Sequence, residues 1–110
     1  GTNDDQYLLP LPAEERVEEM ANFQKAMKAF IDLIRKTYGN CKVIVAIGMI
    51  QVSLVEKLLQ EVVASYPEGV YFLPFHSLKV GGYMSNGGHP NKAMHVEASE
   101  ELYQAIKSIF

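Results

Sequence analysis

The stretch SNGGHPNKAMH, residues 85 to 95, sets His89 behind two glycines and in front of Pro90, directly ahead of a helical pattern. An imidazole titrates close to neutral pH, so on a hinged loop it can enter a cleft and move a proton. The same side chain can equally cap a helix or satisfy a loop carbonyl, and this motif alone supports both readings. His76 is an isolated loop histidine and His95 sits inside a helix, positions where histidines are more often structural or solvated. The spacing of His89 and His95 fits neither one helical face nor a zinc-ligand pattern, which argues against a metal site. The lone Cys41 has no internal disulfide partner and precedes an apolar run, the setting of a buried, inert thiol. A cysteine hydrolase pairing Cys41 with His89 would need the thiol at the carboxyl end of a strand, whereas Cys41 comes before one.

These residues need elements to hold them. From Glu14 to Tyr38, Val17, Met20, Phe23, Met27, Phe30, Ile31, Ile34 and Tyr38 recur every three or four positions, the pattern of a long amphipathic helix. A turn with Pro10 and Pro12 precedes it, and Gly39-Asn40 stops it. KVIVAIGMI then reads as a central parallel strand buried on both faces. Leu54, Val55, Leu58, Leu59, Val62 and Val63 restore helical spacing over 53–65, YPEG ends that helix, and VYFLPF is a short strand. A loop from Pro74 to Pro90 leads to a final helix with Met94, Ala98, Leu102, Ala105, Ile106 and Ile109 on one face. Alternating helices and buried strands imply an α/β fold with right-handed crossovers and helices on both faces of a parallel sheet. Yet only two strands are evident, a small sheet to bury under three helices. GTND, at residues 1 to 4, suits the loop after a strand that this chain lacks.

The chain's 110 residues, 48% of them hydrophobic, suit one domain. A formal charge of -3 without basic runs argues against nucleic acid and anionic membrane surfaces as partners. The longest apolar run, Val43 to Ile50, has the length of a strand rather than of a membrane span, so the chain reads as soluble. A leader on a longer, secreted or periplasmic parent is compatible with this.

In open α/β sheets the working residues collect beyond the carboxyl ends of the strands, which selects GTND, GMIQ at 48–51 and the loop ending in His89. GTND resembles the third sequence block of the SGNH (GDSL-type) hydrolases. NGGHPNKAMH with its following helix resembles their fifth block, usually Asp-x-x-His-Pro-Asn. The segments between are similar to carbohydrate acetylesterases of that superfamily, so the resemblance covers the chain from the third block to its last residue. It implies a partial three-layer α/β/α, flavodoxin-like fold over residues 1–110. It also implies a carboxylic-ester hydrolase acting on short acyl groups of a carbohydrate, without cofactor or metal.

By that resemblance His89 is the general base for a serine nucleophile, and Asn3 is the oxyanion-hole donor, a role that an amide aimed at the developing charge can fill. Asn3 also reads as a turn residue at a frayed terminus. Asn86 occupies the place of the usual acid. In a serine-protease triad the Asp→Asn change costs about 10⁴ in turnover, so a Ser-His dyad oriented by a backbone carbonyl is the available arrangement. Tyr83 and His76 share the loop with His89 and are candidates for the substrate cleft, although packing suits Tyr83 better.

The nucleophile's Gly-Asp-Ser block and the second block's glycine donor do not occur here, so a base stands without a group to activate. The chain is therefore expected to be the C-terminal part of a longer hydrolase and inactive alone. Its missing strand neighbour would leave an adhesive sheet edge, from which a two-fold homodimer or other homo-oligomer is expected. The competing class is a non-catalytic α/β module that self-associates or binds a partner.

Overall fold

A computed structural model describes residues 1–50, 53–77 and 88–110. The elements are helices α1 (Thr2–Leu8) and α2 (Ala13–Thr37), strand β1 (Val43–Met49), helix α3 (Leu54–Ala64), strand β2 (Val70–Ser77) and helix α4 (Lys92–Ile109). β1 and β2 pair in parallel, so the α/β class holds. The chain divides into two compact units, Gly1–Val45 with Val52–Phe72, and Ala46–Gln51 with Leu73–Phe110.

In the first unit, α2 starts behind Pro12 with Glu14 and Glu15 in its first turn and ends with Arg35 and Lys36, charges that complement the helix dipole. Gly39 and Asn40, at φ 67° and 59°, terminate it as the sequence indicates. Its buried stripe is narrower than the periodicity implies. Ile31 is buried, but Val17, Phe30 and Tyr38 are exposed. The buried side of α3 is Val55, Leu58, Leu59 and Val62, and these join Leu8, Ile31, Val45 and Val70 as the buried apolar residues of this unit.

Polar contacts fix α2 to α3. Gln24 Nε2 donates to the Leu58 carbonyl (3.2 Å) and to Glu61 Oε2 (2.8 Å). Beyond the end of α3, Tyr66 donates its hydroxyl to Asp32 Oδ1 (2.7 Å) and the Lys28 carbonyl (3.1 Å). Lys28 Nζ lies 4.2 Å from the centre of the same ring, within cation–π range.

The opening residues are not a loop. Thr2–Leu8 is helical, with Asp4 and Asp5 in the first turn where carboxylates oppose the positive end of the helix dipole, and with Leu8 buried. Asp5 does more than favour its own helix. It is 5% exposed, and its Oδ1 accepts from the backbone N–H of Leu54 (3.0 Å) and of Val55 (2.9 Å), capping α3 from 49 and 50 residues away. The local sequence Ser53-x-x-Glu56 has the form of a capping box, yet Ser53 holds a helical backbone and its side chain makes no capping bond. A carboxylate brought by α1 has replaced the local cap.

β1 also departs from expectation. Val45 and Ile47 are buried while Ala46 and Gly48 are exposed, so the strand alternates instead of burying both faces. The exposed face carries only a methyl group and a hydrogen here, which keeps its apolar area small. At the carboxyl end, Gly48 has φ 122°, and a Cβ placed there would stand 2.6 Å from the Phe75 carbonyl oxygen. Glycine thus lets the two strands approach. Met49 follows at φ 67°, left-handed although it carries a side chain.

In the second unit Met94 and Ala98 of α4 are buried, with Leu102, Ala105 and Ile109 half-buried. Ile106, expected on the same face, is exposed. No helix among the described residues is long and apolar enough to cross a membrane.

Candidate functional site

His89 follows Gly88, whose φ of 75° belongs to the left-handed region that glycine enters without a Cβ penalty. It precedes Pro90, which fixes its own φ and restricts His89 to extended backbone. Asn91 is the N-cap of α4, and its side chain accepts from the Met94 N–H at 3.0 Å. Met94 is fully buried, so the helix start is anchored two ways, by the cap and by packing. The imidazole therefore sits between a glycine in left-handed conformation and a helix start held by its cap and its packing. It is exposed, and it is engaged by a further non-covalent contact.

Asn3 occupies the first turn of α1 and is exposed, which places it on a helix instead of the loop expected for GTND. It belongs to the first compact unit, and His89 belongs to the second together with Gly48 and Met49. His76, expected in a loop, lies in β2, because that strand continues past VYFLPF to Ser77. Alternating extended residues can extend a strand beyond its apolar run wherever a neighbouring strand supplies backbone partners. Tyr83 and Asn86 lie outside the described residues. Cys41 is a free thiol just ahead of β1 and is half-buried, less enclosed than its apolar neighbours imply.

Two hollows of the first unit are lined by other residues than Asn3. One, of about 430 Å³, is lined by Gln24, Lys28, Glu61 and Ser65 between α2 and α3. A second, of about 260 Å³, is bordered by Asp4, Tyr7, Asn22 and Phe23. Among the described residues no group of three or more His, Cys, Asp or Glu side chains is placed to hold a metal ion.

The residue that sequence reasoning missed is Asp5. Its neighbour Asn3 attracted attention through the GTND motif, while the buried carboxylate two positions on is the one with defined partners. Only its place beside another acid in a first turn could have marked it, and that signal points to α1, not to α3. Compared with protein-family models, curated proteins and solved structures, the chain matches none.

Proposed function

We propose that these residues form the C-terminal part of an SGNH-type carboxylic-ester hydrolase, with a partial three-layer α/β/α arrangement and an O-acetylated carbohydrate as substrate. In this reading a serine outside the 110 residues attacks the ester carbonyl as His89 takes its hydroxyl proton. The Asn3 amide donates to the oxygen as it becomes charged. Collapse of the tetrahedral intermediate releases the alcohol, protonated by His89, and water then hydrolyses the acyl-serine by the same steps in reverse. The observation that carries the proposal is the exposed imidazole between left-handed Gly88 and the Asn91-capped helix, which follows an α–α–β–α–β order that starts from the Asn3 helix.

The test is hydrolysis of p-nitrophenyl acetate by this chain and by a longer reading frame that carries it. We expect the short chain to match buffer and the longer protein to turn over. His89→Ala in the longer protein should then lower kcat by on the order of 10⁴, and Asn3→Ala by about 10²–10³. Turnover by the short chain that disappears with His89→Ala would put the nucleophile inside it and overturn the assignment of an outside serine. Turnover by the longer protein that is indifferent to His89 would overturn the catalytic reading and leave the binding module.

A further inference from the structure

Helix α4 carries two apolar stripes. The buried one contains Met94 and Ala98; the other contains Val96, Tyr103 and Ile106, which are 59%, 55% and 41% exposed, and is extended by Phe110. With Ser99 between them, positions 96, 99, 103, 106 and 110 are spaced three, four, three and four apart. That is the a/d spacing of a coiled-coil seam, here about 21 Å long at 1.5 Å per residue.

The flanks of this seam differ. On one side stand Glu100 and Lys107, both at the heptad position that follows d. On the other are His95, Leu102 and Ile109, of which Leu102 and Ile109 turn towards the buried side. Glu100 is held along the helix by Gln104, whose Nε2 donates to Oε1 at 2.7 Å. Lys107 reaches over the seam, its Nζ 6.0 Å from the centre of the Tyr103 ring.

We propose that α4 is the contact surface of a two-fold dimer in which the α4 helices of two copies pack antiparallel. Antiparallel pairing brings the Glu100 and Lys107 flanks of both helices together. Each Glu100 then faces the partner's Lys107, and each Lys107 the partner's Glu100, so one sequence satisfies itself twice under a two-fold axis. A parallel pair would set each charged flank against His95, Leu102 and Ile109 and leave the charges unmatched. The arrangement differs from the sheet-edge contact expected from sequence and does not depend on the hydrolase reading. A two-heptad contact falls below the ~1,200 Å² of standard interfaces, so the dimer is a weak one.

Sedimentation velocity of the 110-residue chain between about 5 and 500 μM tests this, in the micromolar regime that small contacts imply. We expect a concentration-dependent dimer. Ile106→Glu should raise its dissociation constant at least tenfold, whereas Leu33→Glu on the exposed side of α2 should leave it unchanged. Glu100→Lys and Lys107→Glu should each raise it several-fold by placing like charges together, and the double exchange should restore it to near the original value. These charge variants alter exposed positions, so circular dichroism should show an unchanged fold. A chain that stays monomeric throughout, a dimer indifferent to Ile106→Glu, or a charge exchange that fails to rescue would each overturn the proposal.

Discussion

Replacing Asp5 with alanine tests whether a carboxylate contributed by α1 holds the start of α3. The side chain accepts two backbone N–H bonds through one oxygen, at 3.0 and 2.9 Å, and is almost wholly buried. Hydrogen bonds to a charged acceptor contribute about 1.5–3 kcal/mol each, but two sharing an oxygen are worth less than their sum. Val55 is fully buried, so its amide cannot turn to water when the carboxylate is removed, and stranding it costs about 1–3 kcal/mol. The Leu54 amide is less enclosed and regains a solvent partner more easily. Together these give a loss of about 3 kcal/mol for Asp5→Ala, above the ~1 kcal/mol typical of a solvent-exposed cap. For a chain of this size that corresponds to a fall in Tm of roughly 10–15 °C. Asp5→Asn keeps an acceptor oxygen and forfeits the charge at the helix N-terminus, a loss of about 1 kcal/mol. Urea and thermal unfolding of the three proteins, followed by far-UV circular dichroism, measure both differences. An Asp5→Ala protein within about 0.5 kcal/mol of the parent would refute the assignment.

Two further outcomes follow from the fold. Burial, with the hydrogen bond to Asp32 and the charge of Asp32 adding to it, pushes the Tyr66 phenol up to about 12 from 10.0, although Arg35 pulls the other way. The folded state thus holds this proton more tightly than the unfolded chain does. The resulting stability is fully present below pH 10 and is lost as pH rises through about 12, so the gap in urea midpoint between the parent and Tyr66→Phe should narrow from pH 9 to pH 11.5. A gap that is constant or widens would contradict this. Gly48→Ala must both adopt φ 122° and place a methyl 2.6 Å from the Phe75 carbonyl oxygen. Unfolding experiments should show a loss of about 2–4 kcal/mol from backbone strain and strand separation, and a near-neutral substitution would remove glycine's role in the close strand approach.

Local signals carried much of this architecture. The three-to-four spacing through α3 identified the residues that are buried, and Gly39-Asn40 marked the end of α2 because left-handed backbone there is a property of those residue types. Longer-range features left weaker marks. Val17, Phe30 and Tyr38 follow the period of α2 yet stay exposed, since periodicity tells which residues could share a face and not how much of that face a neighbour covers. β1 looked buried on both sides because a β-branched run does not reveal whether Ala46 and Gly48 are covered. The α3 cap was hidden for a sharper reason: Ser53 and Glu56 offered a complete local explanation, and Asp5, some fifty residues away, displaced it. At the candidate site the cap by Asn91 and the left-handed turn at Gly88 follow from local chemistry, while the role proposed for His89 rests on a resemblance to a family and not on any partner that these residues place beside it.

The Asp5 bridge also bears on the order in which the first unit folds. Its two bonds close a loop of 49 and 50 residues, so α1 cannot gain its capping partners until the chain has ordered across that span. Helical turns form locally within microseconds, but a bond of this separation is compensated for its loop-closure entropy only when the intervening packing is in place. The bridge is thus expected to close late in folding. Loss of it should appear chiefly as faster escape from the native state, with the rate of reaching that state little changed.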